Sequence, residues 1–133
     1  MPWPVWLRLC GRAGGSIVIW RTHMKLVKAI VRPNKVDDVR DALEKLSMPG
    51  MTVTDVRGHG RQKGHTAVYR GKEYEVSLLP KVEIEVVVGD DMVEEVVAAV
   101  VRAARTGEIG DGRVFVLPVA EAYNIRTGER NVI

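Results

Sequence analysis

Two glycine-rich stretches hold the residues best suited to chemistry. GHGRQKG (58–64) places Arg61 and Lys63 among three glycines, and TGEIGDGR (106–113) sets Gly110, Asp111 and Gly112 directly before Arg113. Glycines let a backbone come close to an oxyanion, and neighbouring cations neutralise it, so the chemistry to expect is phosphate binding. Neither stretch has the spacing of a Rossmann fingerprint or a P-loop, and a glycine turn between elements is by itself an ordinary structural device. The tail carries Arg126 and Arg130 in NIRTGER, which alone reads as a solvated turn. No serine sits in a nucleophile elbow, and no nucleophile–base pair stands out. His23, His59 and His65 lack a cysteine or carboxylate cluster at ligand spacing, so there is no metal motif.

Regular elements must position these stretches. KLVKAIVR (25–32) reads as a strand closed by Pro33, and Asn34 can cap a helix with Val36, Val39, Leu43 and Leu46 at helical spacing. Pro49 and Gly50 end that helix, and 51–60 reads as a second, half-buried strand. VEIEVVV (82–88) is a third strand. Asp90 or Asp91 can cap a second helix, buried through Val93, Val96, Val97, Val100, Val101 and Ala104, with Gly107 as its C-terminal cap. RVFVLPV (113–119) is the fourth strand.

The order βαβ–loop–βαβ predicts one antiparallel sheet with both helices on one face, a ferredoxin-like α+β fold. The second and third strands then form a hairpin, from which the polar segment 61–81 projects. Connections of that length are uncommon unless they have a function. The uncovered sheet face, expected to show Ile30, Val53, Ile84, Val86 and Phe115, suggests an oligomer.

At 133 residues the chain is one domain by length, and 46% hydrophobic with 28% charged residues is a globular composition. The single Cys10 precludes an internal disulfide framework and suits a reducing compartment. The net charge of +3 comes from the first 23 residues, which hold Arg8, Arg12 and Arg21 and no acidic residue. Subtracting those three arginines from twenty basic residues leaves seventeen against seventeen acidic ones, so the remainder gives no electrostatic footprint for nucleic acid. That leader carries all three tryptophans (Trp3, Trp6, Trp20) and is a poor secretory signal, because basic residues interrupt its apolar stretch. It reads as an atypical extension, disordered or upstream of a natural start at Met24, with an interfacial membrane anchor as the other reading. No apolar run reaches the ~18 residues of a membrane span.

Taken together and in this order, the pieces resemble the P-II signal-transduction proteins of nitrogen regulation, from Met24 to about Glu129. GRQKGHT followed by YRGKEY is similar to the family's T-loop motif, and TGEIGDGRVFV to its second signature. LPK before the third strand and IRTGE in the tail belong to the same pattern.

The resemblance implies a ferredoxin-like homotrimer over 24–133, with the T-loop at about 60–80 and nucleotide sites between subunits. ATP and ADP would compete for those sites, and 2-oxoglutarate would join only with Mg-ATP. Gly60, Arg61, Gln62, Gly110, Asp111, Gly112, Arg113 and Arg126 would form much of the nucleotide site, with Thr52 and Val87 near the adenine. Gln62, Lys63 and Lys81 would bind 2-oxoglutarate, and the Gln62 carbonyl oxygen would join the Mg²⁺ shell. Arg70 would be the loop-tip residue that enters an ammonium channel in transporter-binding members. Tyr74 is the position that a nucleotidyltransferase modifies in some bacteria.

Two departures from the pattern are visible. Lys72 replaces the small residue usual in modified members, and Asn124 stands where many members have a phosphate-binding arginine. The function implied is a cytoplasmic regulator of ammonium transport or of nitrogen-metabolism enzymes, reversibly membrane-associated through a transporter. It is not an enzyme beyond slow ATP hydrolysis. EAYNIRTGE is also similar to variants from archaea and nitrogen fixers, which gives a nitrogenase regulator as the alternative. A ferredoxin-like RNA-binding module is a third reading, but such modules stack bases on sheet aromatics, and only Phe115 lies on a strand here.

Overall fold

The computed structural model describes residues 23–48, 50–60, 66–69, 72–75, 78–131 and 133, with 66–69 and 72–75 described by their backbone. In chain order the elements are β1 (Met24–Val31), α1 (Val36–Lys45), β2 (Thr52–Gly58), β3 (Thr66–Tyr69), β4 (Lys72–Glu75), β5 (Leu79–Gly89), α2 (Val93–Ala104) and β6 (Gly112–Pro118). Four strands form one sheet in the order β2–β5–β1–β6, with every neighbouring pair antiparallel. Both helices pack on one face. This is the ferredoxin-like arrangement expected, with a small β3–β4 ribbon inserted between its second and third strands.

The core follows from alternation along the central strands. In β5, Val82, Ile84, Val86 and Val88 point toward the helices, as do Val27, Ala29 and Val31 of β1. They meet Val39 and Leu43 of α1 and Val96, Val100 and Ala104 of α2, which recur at the helical period. Val93 and Val97 pack against this cluster while partly exposed, and Val101 is also only partly buried.

Register settles what composition left open. Ile84 and Val86 are buried under the helices, so they do not belong to the open face. Val53 is the register partner of Ile84 and sits on the helix side of edge strand β2, 45% exposed. A run such as Val86-Val87-Val88 fits either face, and a one-residue shift exchanges them. The pairings put Leu26, Lys28, Ile30, Glu83, Glu85, Val87, Phe115 and Leu117 on the open face. Lys28 bridges Glu83 and Glu85 there, at 3.3 and 3.2 Å.

The helix ends also differ from expectation. Pro33–Lys35 and Asp90–Met92 form short 3-10 turns that lead into the helices, and no side chain caps either one. Pro33 fixes the first of these turns, which takes Asn34 inside it. The Asp90 carboxylate instead accepts a hydrogen bond from Lys25, 2.6 Å away. Helix α2 ends at Ala104, with Arg105 extended, and Gly107 lies farther on in the next turn. Strand β5 starts at Leu79, three residues before the expected point. Pro80 is tolerated because β1 pairing begins only at Val82, so one side of the strand needs no donor there.

Candidate functional site

The candidate residues gather at one end of the sheet. Val31 of β1 is the register partner of Val82 on one side and Gly112 on the other, and Val82 faces Asp55 of β2. Just beyond this row lie Arg32, Lys81, Asp111 and the ends of the long insertion, where Gly58 faces Leu79. The glycine turn before β6 therefore sits beside the base of the insertion, with the end of β1 between them.

The turn is built around one carboxylate. Asp111 accepts hydrogen bonds from the Thr106 amide at 2.8 Å, the Gly107 amide at 2.9 Å and the Thr106 hydroxyl. Arg32 adds its Nε at 3.1 Å and donates from Nη2 to the Ile109 carbonyl at 3.0 Å. The Thr106 hydroxyl above all, then the two amides and the Arg32 guanidinium, hold the Asp111 carboxyl well below the usual carboxylate range. Its oxygens are engaged inside the turn, so Asp111 shapes the site from behind. Gly110 and Gly112 have φ of +99° and +112°, a region glycine enters without steric cost.

Lys81 approaches from the other side and donates to the Gly110 carbonyl at 2.6 Å. Burial lowers its pKa, Arg32 lowers it further, and Asp111 pulls the other way. A groove of about 320 Å³ opens beside the turn, lined by Val97, Val101 and Ala104 together with Arg105, Arg113 and Asp111. The end of the sheet thus joins glycine backbone, Lys81 and exposed Arg113, a donor set suited to an anionic ligand.

Of the residues singled out in the sequence, Gly110, Asp111, Gly112, Arg113 and Lys81 come together here, and Gly60 lies two residues past the Gly58–Leu79 pair. Thr52 and Val87 do not join them. Thr52 faces Glu85, roughly 10 Å along the strand from Val82, and Val87 is roughly 17 Å along. Arg126 belongs to the tail, which leaves the sheet from the far end of β6, where Val119 donates to the Met24 carbonyl. Tyr74 faces Ala67 in the β3–β4 ribbon. Arg61, Gln62, Lys63 and Arg70 lie outside the described residues, as does the leader over 1–22.

A model of the family described as "Nitrogen regulatory protein P-II" matches residues 24–129. The chain belongs to the P-II family. Nitrogen regulatory protein P-II 1 of Escherichia coli K12 is 56% identical over 108 residues, covering 81% of this chain and 96% of the relative. The P-II protein of Haemophilus influenzae is 54% identical with the same coverage. A crystal structure of Arabidopsis thaliana PII bound to citrate aligns with a TM-score of 0.68 at 41% identity, covering 85% of this chain and 90% of that one.

Against the P-II pattern, the asparagine at 124 has a local structural role. Its Oδ1 accepts from the Thr127 amide at 3.1 Å, its carbonyl from the Gly128 amide at 2.7 Å, and its own amide donates to the Glu129 carbonyl at 2.9 Å. These bonds fold the tail back on itself, with Tyr123 bridging Arg130, so the expected solvated turn is an ordered one. Arg32 lies in no motif, and Thr106, although it opens the TGEIGDGR stretch, is not among the candidate ligand contacts named there. Their signal was positional: a basic residue ending a strand, and a threonine five residues before an aspartate.

Asp111→Asn should change the acid limb of stability. A carboxyl whose pKa is lower in the folded state stabilises above the unfolded value of about 3.9, and that contribution fades as pH falls toward the folded value. The variant should be less stable than the parent at pH 7 in urea unfolding, and the gap should shrink below pH 4. A gap that stayed constant with pH would remove this role.

Proposed function

We propose that this P-II chain works as a homotrimeric sensor of adenine nucleotide and 2-oxoglutarate. The observation that carries the reading is the contact between Lys81, at the base of the insertion, and the Gly110 carbonyl of the glycine turn. It joins the candidate effector cation to the candidate phosphate turn. ATP and ADP compete for the turn, where Gly110, Gly112 and Arg113 face the phosphates, with Gly60 and Arg61 from the end of β2. The 2-oxoglutarate carboxylate pairs with Lys81, beside Gln62 and Lys63, only when Mg-ATP is bound. The donor set at the sheet end fits polyanions of this kind, and the Arabidopsis relative, described as bound to citrate, is a P-II protein that takes a carboxylate ligand. Mg²⁺ accompanying ATP neutralises charge between triphosphate and keto acid, and the Gln62 carbonyl oxygen would share in holding it.

Assembly accounts for the split site. Thr52, Val87 and Arg126 lie away from the glycine turn within one chain, and apposed subunits bring them to a neighbour's turn. The half-apolar open face, with Leu26, Ile30, Val87, Phe115 and Leu117, gives the copies a surface to share. The insertion is then the output surface, regulating an ammonium transporter or a nitrogen-metabolism enzyme, with Arg70 as a partner contact and Tyr74 as a position for modification. The role is regulatory and cytoplasmic, and the relatives bear the names of regulatory proteins. No helix among the described residues is long and apolar enough to cross a membrane.

Calorimetric titration of 2-oxoglutarate tests this directly. Heat of binding is expected with Mg-ATP present and none with ADP. A protein that binds nucleotide and ignores 2-oxoglutarate under both conditions would be an adenylate sensor only, and Asn124→Arg would be the first change to try. Absence of any nucleotide binding would overturn the reading.

A further inference from the structure

The glycine turn has freedom of its own and must borrow its order from elsewhere. Glycines at 107, 110 and 112, all at positive φ, lose more conformational entropy on fixing than any other residue. The bonds from Asp111 to Thr106 and Gly107 close the turn on itself without tying it to the sheet. Beyond the Gly112–Val31 pairing at its end, the side-chain ties of the turn to the sheet come, among the described residues, from two cations. Lys81 of β5 takes the Gly110 carbonyl, while Arg32 takes the Ile109 carbonyl and the Asp111 carboxylate together.

We infer that Arg32 is a positioning residue for the candidate nucleotide site, holding the 106–112 turn in place through Asp111 and the Ile109 carbonyl. The inference rests on the nucleotide reading above. Arg32 directly follows Val31, whose pairing with Gly112 fixes where the side chain begins. Its guanidinium spans two acceptors on different residues, which a planar fork does with little further loss of entropy. The pair is sheltered, with side chains 17% and 24% exposed, so solvent screens it less than a surface ion pair. Arg32 acts from behind the turn, its Nε and Nη2 bound to protein acceptors, and Arg113 and the glycine backbone meet the ligand.

The test uses the full chain and two measurements. In ligand-free protein, Arg32→Ala should speed hydrogen exchange of the 107–112 amides about tenfold and leave the β5 amides protected. In binding experiments the same variant should lose about tenfold in ADP affinity and keep its affinity for adenosine, because the turn serves only the phosphates. Arg32→Lys, which keeps a charged donor but loses the planar fork, should recover part of the loss. Unchanged exchange in the turn overturns the inference, and so does an equal loss for ADP and adenosine. If the parent protein bound no ADP, the nucleotide reading would fail, and exchange alone would decide whether Arg32 orders the turn.

Discussion

Gly112→Ala should lower folding stability by about 3 kcal/mol, from backbone strain and overpacking of ~1–3 kcal/mol each. A Cβ at this position would lie 1.7 Å from the Ile30 carbonyl oxygen, which is backbone on the adjacent strand and cannot rotate away. The φ of +112° adds strain for any L side chain. Since the register pairs Gly112 with Val31, relief would have to come from separating β6 from β1 at the candidate site. Gly107→Ala supplies the comparison. Its φ is +89°, but nothing lies within 4 Å of a Cβ there, so only backbone strain applies, about 1 kcal/mol. Urea unfolding of both variants measures the difference. Equal midpoints would mean that the close approach to Ile30 is not a constraint in solution.

Lys81→Met should weaken 2-oxoglutarate binding in the presence of Mg-ATP by about a hundredfold. The methionine keeps much of the apolar stem and removes the ammonium. A hydrogen bond to a charged group contributes ~1.5–3 kcal/mol, and 1.4 kcal/mol is tenfold in affinity. The same ammonium holds the Gly110 carbonyl, so nucleotide affinity should fall too, but only severalfold, because Arg32 still anchors the turn. Burial, with Arg32 beside it, lowers the Lys81 pKa in the ligand-free protein. The alkaline loss of effector binding should therefore begin below the ordinary lysine value of 10.5. Calorimetry across pH checks both parts. Retained 2-oxoglutarate affinity in the variant would remove Lys81 from the effector site.

The fold was legible because each helix and strand repeats its apolar residues at its own period. Val39 and Leu43 sit four apart on one helix, and Val82, Ile84, Val86 and Val88 alternate on one strand. The faces were less legible where a strand is apolar on both sides, and there Ile84 and Val86 lie under the helices instead of on the open face. Helix starts differ from expectation because 3-10 turns, the first fixed by Pro33, take the place of side-chain caps at Asn34 and at Asp90 or Asp91. At the candidate site, the glycines and Arg113 stood out by residue type, while their spacing matched no phosphate-binding fingerprint and the P-II resemblance carried their assignment. Arg32 did not, since its function depends on a partner 79 positions away that only the sheet brings near. Asn124 read as a missing arginine, and its bonds to the tail turn became visible only with the turn itself.

The two ends of the long insertion leave the sheet side by side, with Gly58 directly opposite Leu79 on hydrogen-bonded neighbours. Whatever lies between them closes a gap that the sheet has already closed. Extending a flexible closed segment twofold adds only about 0.6 kcal/mol of closure entropy, small against the packing beneath it. The domain is therefore a socket, and the insertion is cargo that can be lengthened, shortened or exchanged with little penalty to the framework. The stability of the framework sets almost no limit on the length of the segment between Gly58 and Leu79.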